Sequence, residues 1–160
     1  MASNLIEWIR ESNLIEGIDR PVEDRRSEKA WKWFVKQELT IPNILDLHHK
    51  ITWQQLGSDA GQFRTCQVWV GGHEGAAHQK IMNLMLIWLE TWDAPILNKK
   101  ITPEQWCRES HVYFEMIHPF IDGNGRVGRM ILQHQRAKHG LPPLLIKSEE
   151  RGEYYQWFQV

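Results

Sequence analysis

The chain has 160 residues, 42% of them hydrophobic, which is enough for one domain with a usable core. Its 19 basic and 20 acidic residues nearly cancel, which excludes the electrostatic footprint of a nucleic-acid or anionic-membrane binder. Cys66 and Cys107 are too few for a disulfide framework, no CxxC suggests zinc, no apolar run reaches spanning length and no signal-peptide order opens the chain, so a cytoplasmic, reducing setting is expected.

Leu5, Ile6, Trp8, Ile9 and Ile15 keep helical spacing, with Gly17 as the stop and Pro21 beyond it. Ser12 and Glu16 stand at i and i+4 on one face of this helix. A second helix is expected over Ser27–Leu39, turning Trp31, Phe34, Val35 and Leu39 inward. A third follows Thr40-Ile41-Pro42 and runs through Ile44, Leu47, His48 and Ile51 to Leu56. His48 and His49 diverge on a helix and are read as structural or surface residues, not a metal pair.

Between Gly57 and Gly75 the pattern changes. Val68-Trp69-Val70, closed by Gly71-Gly72, reads as a small hairpin or edge strand, the only β element expected. A free strand edge can hold an extended peptide by main-chain hydrogen bonds. Arg64 is read as bracing the loop before it. Ala77–Trp92 is apolar on most sides and is expected in the middle of the core, ended by Asp93-Ala94-Pro95. Thr102, Pro103 and Gln105 form a capping box that starts a helix running into His118. A last helix, ended by Gly140, follows the glycine loop at 123–125, and Tyr154–Phe158 closes the chain. The 9 tryptophans are expected mainly in the core.

Most of the chemistry is concentrated in His118 to Arg129, HPFIDGNGRVGR. Pro119 ends one helix, Gly123-Asn124-Gly125 makes a tight turn, and a second helix opens from it. A glycine loop before a helix N-terminus lets unpaired N–H groups close around phosphate oxygens. Arg126 and Arg129, at i and i+3, can reach one polyphosphate from the same side. Asp122 suits a magnesium ion shared with phosphate oxygens, and the His118 imidazole can take a proton from an attacking hydroxyl. Together they describe phosphoryl or nucleotidyl transfer.

Over this stretch the chain resembles the Fic domain proteins, whose signature H-P-F-x-[D/E]-G-N-G-R-x-x-R is matched at every fixed position from His118 to Arg129. The resemblance implies an all-α fold, a single Fic-type helical bundle with one small β-hairpin flap. It also implies an inhibitory helix over residues 1–20 packed on a catalytic domain over 21–160. The implied reaction moves AMP from ATP to a tyrosine, threonine or serine hydroxyl of a target protein. In it His118 is the base, Asp122 holds Mg2+, Gly123, Asn124 and Gly125 cradle the anion, Arg126 meets the β-phosphate and Arg129 the γ-phosphate, while Phe120 anchors the loop. Ser12 to Gly17, SNLIEG, is similar to the inhibitory motif [S/T]-x-x-x-E-[G/N], which implies that Glu16 competes for Arg129. Val68, Trp69 and Val70 resemble the flap that registers a target segment. Transfer of another nucleotide, phosphate or phosphocholine, removal of AMP, and a nucleotide-binding module without turnover remain as alternatives, and a homodimer is left open.

Overall fold

The computed structural model describes residues 2–93 and 100–159. The chain folds as α1 (Ala2–Ile15), α2 (Pro21–Phe34), α3 (Ile41–Leu56), a hairpin of β1 (Trp69–Val70) and β2 (His73–Glu74), then α4 (Ile81–Trp92), α5 (Pro103–Ile117), α6 (Asn124–Lys138) and a short α7 (Arg151–Tyr155). This is the all-α bundle with one small hairpin that the sequence led us to expect. Among the described residues, no helix is long and apolar enough to cross a membrane.

Local chemistry sets the helix ends. Gly17, at φ 72°, closes α1 with a Schellman pair in which its N–H donates to Leu14 O and the Ile18 N–H to Asn13 O. Thr40 caps α3, and Thr102 with Gln105 forms the expected capping box on α5. The second helix lies earlier than expected, because Pro21 fits its first turn and Glu23 and Asp24 complement its N-terminal dipole. It stops at Phe34, so Val35 stays exposed while Leu39 reaches the core from the loop beyond. The closing segment likewise begins at Arg151 and tightens into a 3-10 turn at Gln156–Phe158.

The middle of the bundle belongs to a different helix from the one anticipated. α4 begins at Ile81 after a 3-10 turn and buries only Ile81, Met85 and Trp88, leaving Met82, Leu86 and Ile87 largely exposed. It ends at Trp92 with Asp93 as its cap, and Ala94 and Pro95 lie outside the described residues. α6 is the central rod instead, with 12 of its 15 residues buried. Three of its polar side chains are held in the interior by distant backbone: Gln133 exchanges hydrogen bonds with Leu144, His134 meets Gln37 O, and Arg136 donates to Pro142 O.

α1 is sewn into the same core. Trp8, Ile9 and Ile15 are buried, and Trp8 meets the edge of Trp31 on α2 with ring centroids 5.1 Å apart. Trp88 is also buried, whereas Trp53 and Trp69 face solvent.

Candidate active site

α5 delivers His118 at its C-terminal cap in a left-handed conformation (φ 51°, ψ 63°), the only positive φ outside glycine among the described residues. Such a conformation costs energy and persists only when its surroundings enforce it. Arg64 is the enforcer. Its Nε donates to His118 O at 2.7 Å and its Nη2 to Ile117 O at 3.3 Å, which caps α5 with a cation. The same guanidinium donates to Cys66 O and Ala76 O at the two ends of the hairpin segment. One buried arginine therefore fixes His118 and the hairpin to each other, and its expected bracing role reaches further than its own loop.

The loop after His118 is held from inside. The Asn124 side chain accepts the Phe120 N–H at 2.9 Å and donates to Phe120 O at 2.8 Å, so it shapes the turn, and only its backbone is left to serve an anion. Phe120 is fully buried and stacks on His48 with centroids 3.8 Å apart, which anchors the loop as expected. His48 is structural. Its Nδ1 accepts the Gly61 N–H, which puts the ring proton on Nε2, and that nitrogen donates to Asp122 O at 2.8 Å. Gly123 sits at φ 83°, and a Cβ there would collide with Thr52.

Asp122 is exposed, with Oδ1 accepting the Gly123 N–H and Oδ2 accepting from Gln55 Nε2 at 2.5 Å. Gln55 Oε1 in turn accepts from Arg126, so one amide spans the carboxylate and the first arginine. Arg126 is only 3% exposed, yet its Nε is buried without a partner, which leaves it short of acceptors for an anion to supply.

Arg129 donates four hydrogen bonds. Its Nε donates to Ser12 Oγ at 2.8 Å, and its Nη2 to Ser12 O at 2.9 Å and Glu16 Oε1 at 2.6 Å. Ser12 O is one of the last carbonyls of α1, so Arg129 acts as the cation at that helix's C-terminus. A Cβ on Gly125 would run into the Glu16 carboxylate and Arg129, so that carboxylate lies directly on the glycine loop. Behind it, Arg129 Nη1 donates to the Tyr154 hydroxyl, that hydroxyl donates to His111 Nε2, and His111 Nδ1 donates to Gly128 O.

The electrostatics follow from burial. Burial lowers His118 below the ordinary histidine range, and the Glu115 carbonyl only partly opposes this, while Arg64 lowers it further. The ring also senses Glu16 and Asp122, so all three groups share one neighbourhood. Burial holds Arg126 below its usual value. For Arg129 burial works in the same direction, but Tyr154 and Glu16 outweigh it and the guanidinium is held more firmly charged. Burial also drives His48 down to about 4 and, with help from Arg129, His111 down to about 3. Both are neutral when folded and titrate near 6.5 when unfolded. Thermal stability is therefore expected to hold above pH 6.5 and to decline as pH falls towards 4, by on the order of 1–3 kcal/mol for each ring. A melting temperature independent of pH over that window in calorimetry would contradict this account.

The hairpin pairs Trp69 with Glu74 and Val70 with His73, and Gly71 and Gly72, both at positive φ, make its two-residue turn. Val68 lies just outside the strand but accepts the Gly75 N–H through its carbonyl. Sequence reading took His48 as structural or surface, in keeping with its place behind the loop, and missed Gln55, His111 and Tyr154. The only signal was that His48 and Gln55 share a helix face seven residues apart.

Among the described residues, no cluster of three or more His, Cys, Asp or Glu could hold a metal. The single carboxylate of Asp122 therefore fits a cation that shares its coordination with phosphate oxygens and water, as magnesium does, and does not fit an all-protein metal site.

The profile of the Fic/DOC family matches residues 38–135. The chain is 31% identical over 152 residues to "Protein adenylyltransferase Fic" of Nematostella vectensis, covering 93% of this chain and 34% of that protein. It is 33% identical over 125 residues to the protein of the same name from Drosophila willistoni, covering 78% and 25%. The chain thus spans about a third or less of the length of these curated relatives. Among solved structures, it superposes on Fic-1 (residues 134–508) of C. elegans with a TM-score of 0.80 at 22% identity, covering 98% of this chain and 55% of that one. A Fic domain containing signaling protein from Bacteroides thetaiotaomicron gives 0.79 at 20% identity, covering 97% and 70%. At these identities the structural likeness is one of fold, and it is the match of the family profile to more than half of the sequence, glycine loop included, that decides membership: the chain belongs to the Fic/DOC family.

Proposed function

We propose that this chain transfers AMP from ATP to a hydroxyl side chain of a target protein and that the end of α1 restrains it. The observation that carries this reading is the Glu16 carboxylate lying on Gly125 and paired with Arg129, beside an Arg126 with a donor to spare. A carboxylate there imitates a phosphate, and it occupies the place that a triphosphate would need.

In the reaction, the His118 ring takes the proton of the target hydroxyl as its oxygen forms a bond to the α-phosphorus. The bond from that phosphorus to the bridging oxygen breaks, and pyrophosphate leaves. Nδ1 of His118 is buried, so Nε2 is the nitrogen available to meet a hydroxyl. Backbone N–H groups at the start of α6 and the two arginines hold the phosphates, Arg126 nearer the β and Arg129 nearer the γ. Asp122, with Gln55 giving up Oδ2, would hold magnesium, which supplies positive charge to the departing pyrophosphate. The hairpin at Val68, Trp69 and Val70 would register the target segment, with Trp69, 71% exposed, as its anchor.

On this reading residues 1–20 act as the restraining element and 21–160 as the catalytic part, in a cytoplasmic setting that suits the free thiols of Cys66 and Cys107. Intact-mass measurement of the protein with ATP and magnesium, parent beside Glu16→Gly, tests the reaction class. An adenylyl adduct that grows in the variant supports the proposal, while a different adduct, or none in either protein, overturns it.

A further inference from the structure

Glu115 stands on α5 one turn before His118, and the chemistry above does not use it. Its Oε1 is buried without a hydrogen-bond partner. The carboxyl rests against Gly128, where even a methyl group would collide with it, so the glycine makes room for a group that the resting site leaves idle. A buried polar atom left unpaired is costly and calls for a reason.

The groups facing it are Arg129 on α6, Glu16 just past the end of α1, Tyr154 on α7 and His111 on its own helix. The Tyr154 hydroxyl is given to His111, and the His111 Nδ1 proton to Gly128 O, so neither has a hydrogen for Glu115. Only Arg129 attracts it. In the restrained form four of the five Arg129 N–H groups go to Ser12, Glu16 and Tyr154. When Glu16 lets go, the buried guanidinium loses the one carboxylate paired with it and keeps only neutral partners in Ser12 and Tyr154, a costly state for a charge.

We propose that Glu115 is a positioning residue for Arg129, a second carboxylate carried on α5 that pairs with the guanidinium whenever neither Glu16 nor a phosphate holds it. This rests on the reading of Arg129 as a phosphate seat. Two anions compete for one guanidinium, so Glu115 holds a proton more readily when the seat is filled than when it is empty. In the filled form burial pushes Glu115 up to about 7, with Glu16 adding to the effect and Arg129 opposing it. Filling the seat therefore takes up a proton. The sign follows: below about pH 7 the filled form holds more protons, so rising pH favours the empty form, and above it the dependence fades.

The test is calorimetric titration of magnesium-ATP into Glu16→Gly and into Glu16→Gly/Glu115→Gln at pH 6.5, each in two buffers of different ionisation enthalpy. Protonation of ATP itself is common to both proteins and cancels. The single variant is expected to take up about half a proton or more beyond the double variant, and equal uptake overturns the proposal. Should the double variant fail to fold, infrared difference spectra of Glu16→Gly decide: ATP should add a protonated-carboxyl stretch, and its absence counts against Glu115. Adding Arg129→Ala to Glu16→Gly separates the two ideas, since unchanged ATP affinity there removes the phosphate seat itself.

Discussion

Replacing His118 with alanine is expected to cut incorporation of label from ATP by about 100-fold or more, with helical circular dichroism unchanged. Loss of a positioned general base typically costs 10²–10⁴ in rate. The stability effect is expected to be small, because the His118 backbone is held by its N–H on Phe114 O and by Arg64 on its carbonyl, whichever side chain it carries. The same assignment fixes the pH response. A base must be neutral to act, and burial lowers His118 below the ordinary histidine range. Labelling by the parent should be level through neutral pH and fall only on the acid side of that range. A variant that labels at the parent rate would sink the base assignment.

Exchanging Glu16 for glycine should raise self-labelling by about tenfold. Hydrogen bonds to charged groups are worth about 1.5–3 kcal/mol when buried. Here Arg129 is 3% exposed but the Glu16 side chain is 35% exposed, so solvent screens part of that value. A net contribution of about 1.4 kcal/mol to keeping the seat closed corresponds to a factor of ten. The fold should tolerate the change, since Ser12 keeps two contacts to Arg129 and Glu16 stands where a negative charge opposes the α1 dipole. Unchanged labelling together with unchanged ATP affinity would remove the restraint from the account.

Legibility in the sequence tracked how local the chemistry was. Glycine at 17 and 140, threonine at 102 and proline at 119 announce helix ends through backbone preferences, and the structure has those ends in place. The glycine loop was equally plain, because its residue types have few other uses together. What stayed hidden was decided at long range. Gln55 is an ordinary exposed glutamine until the fold carries Asp122 and Arg126 to it from 67 and 71 residues away. Apolar content misled at α4, where much of the stripe faces solvent, and polarity disguised α6, whose glutamines, histidine and arginines are buried because other segments bring them partners. Burial measured by composition fails wherever polar groups are satisfied by distant backbone.

The edge-on meeting of Trp8 and Trp31 limits the ways in which the proposed restraint could be lifted. Clipping off the first twenty residues would strip Trp8, Ile9 and Ile15 from the interior, a loss of roughly 5 kcal/mol or more at 1.5–3 kcal/mol per large side chain. That is comparable with the whole stability of a small domain. Amputation would thus yield a chain that collapses and clumps, not a freed catalyst. On the proposed reading, relief comes from fraying of the tail end alone: the brake and the chassis are one casting, and proteolysis that removed the former would not keep the latter running.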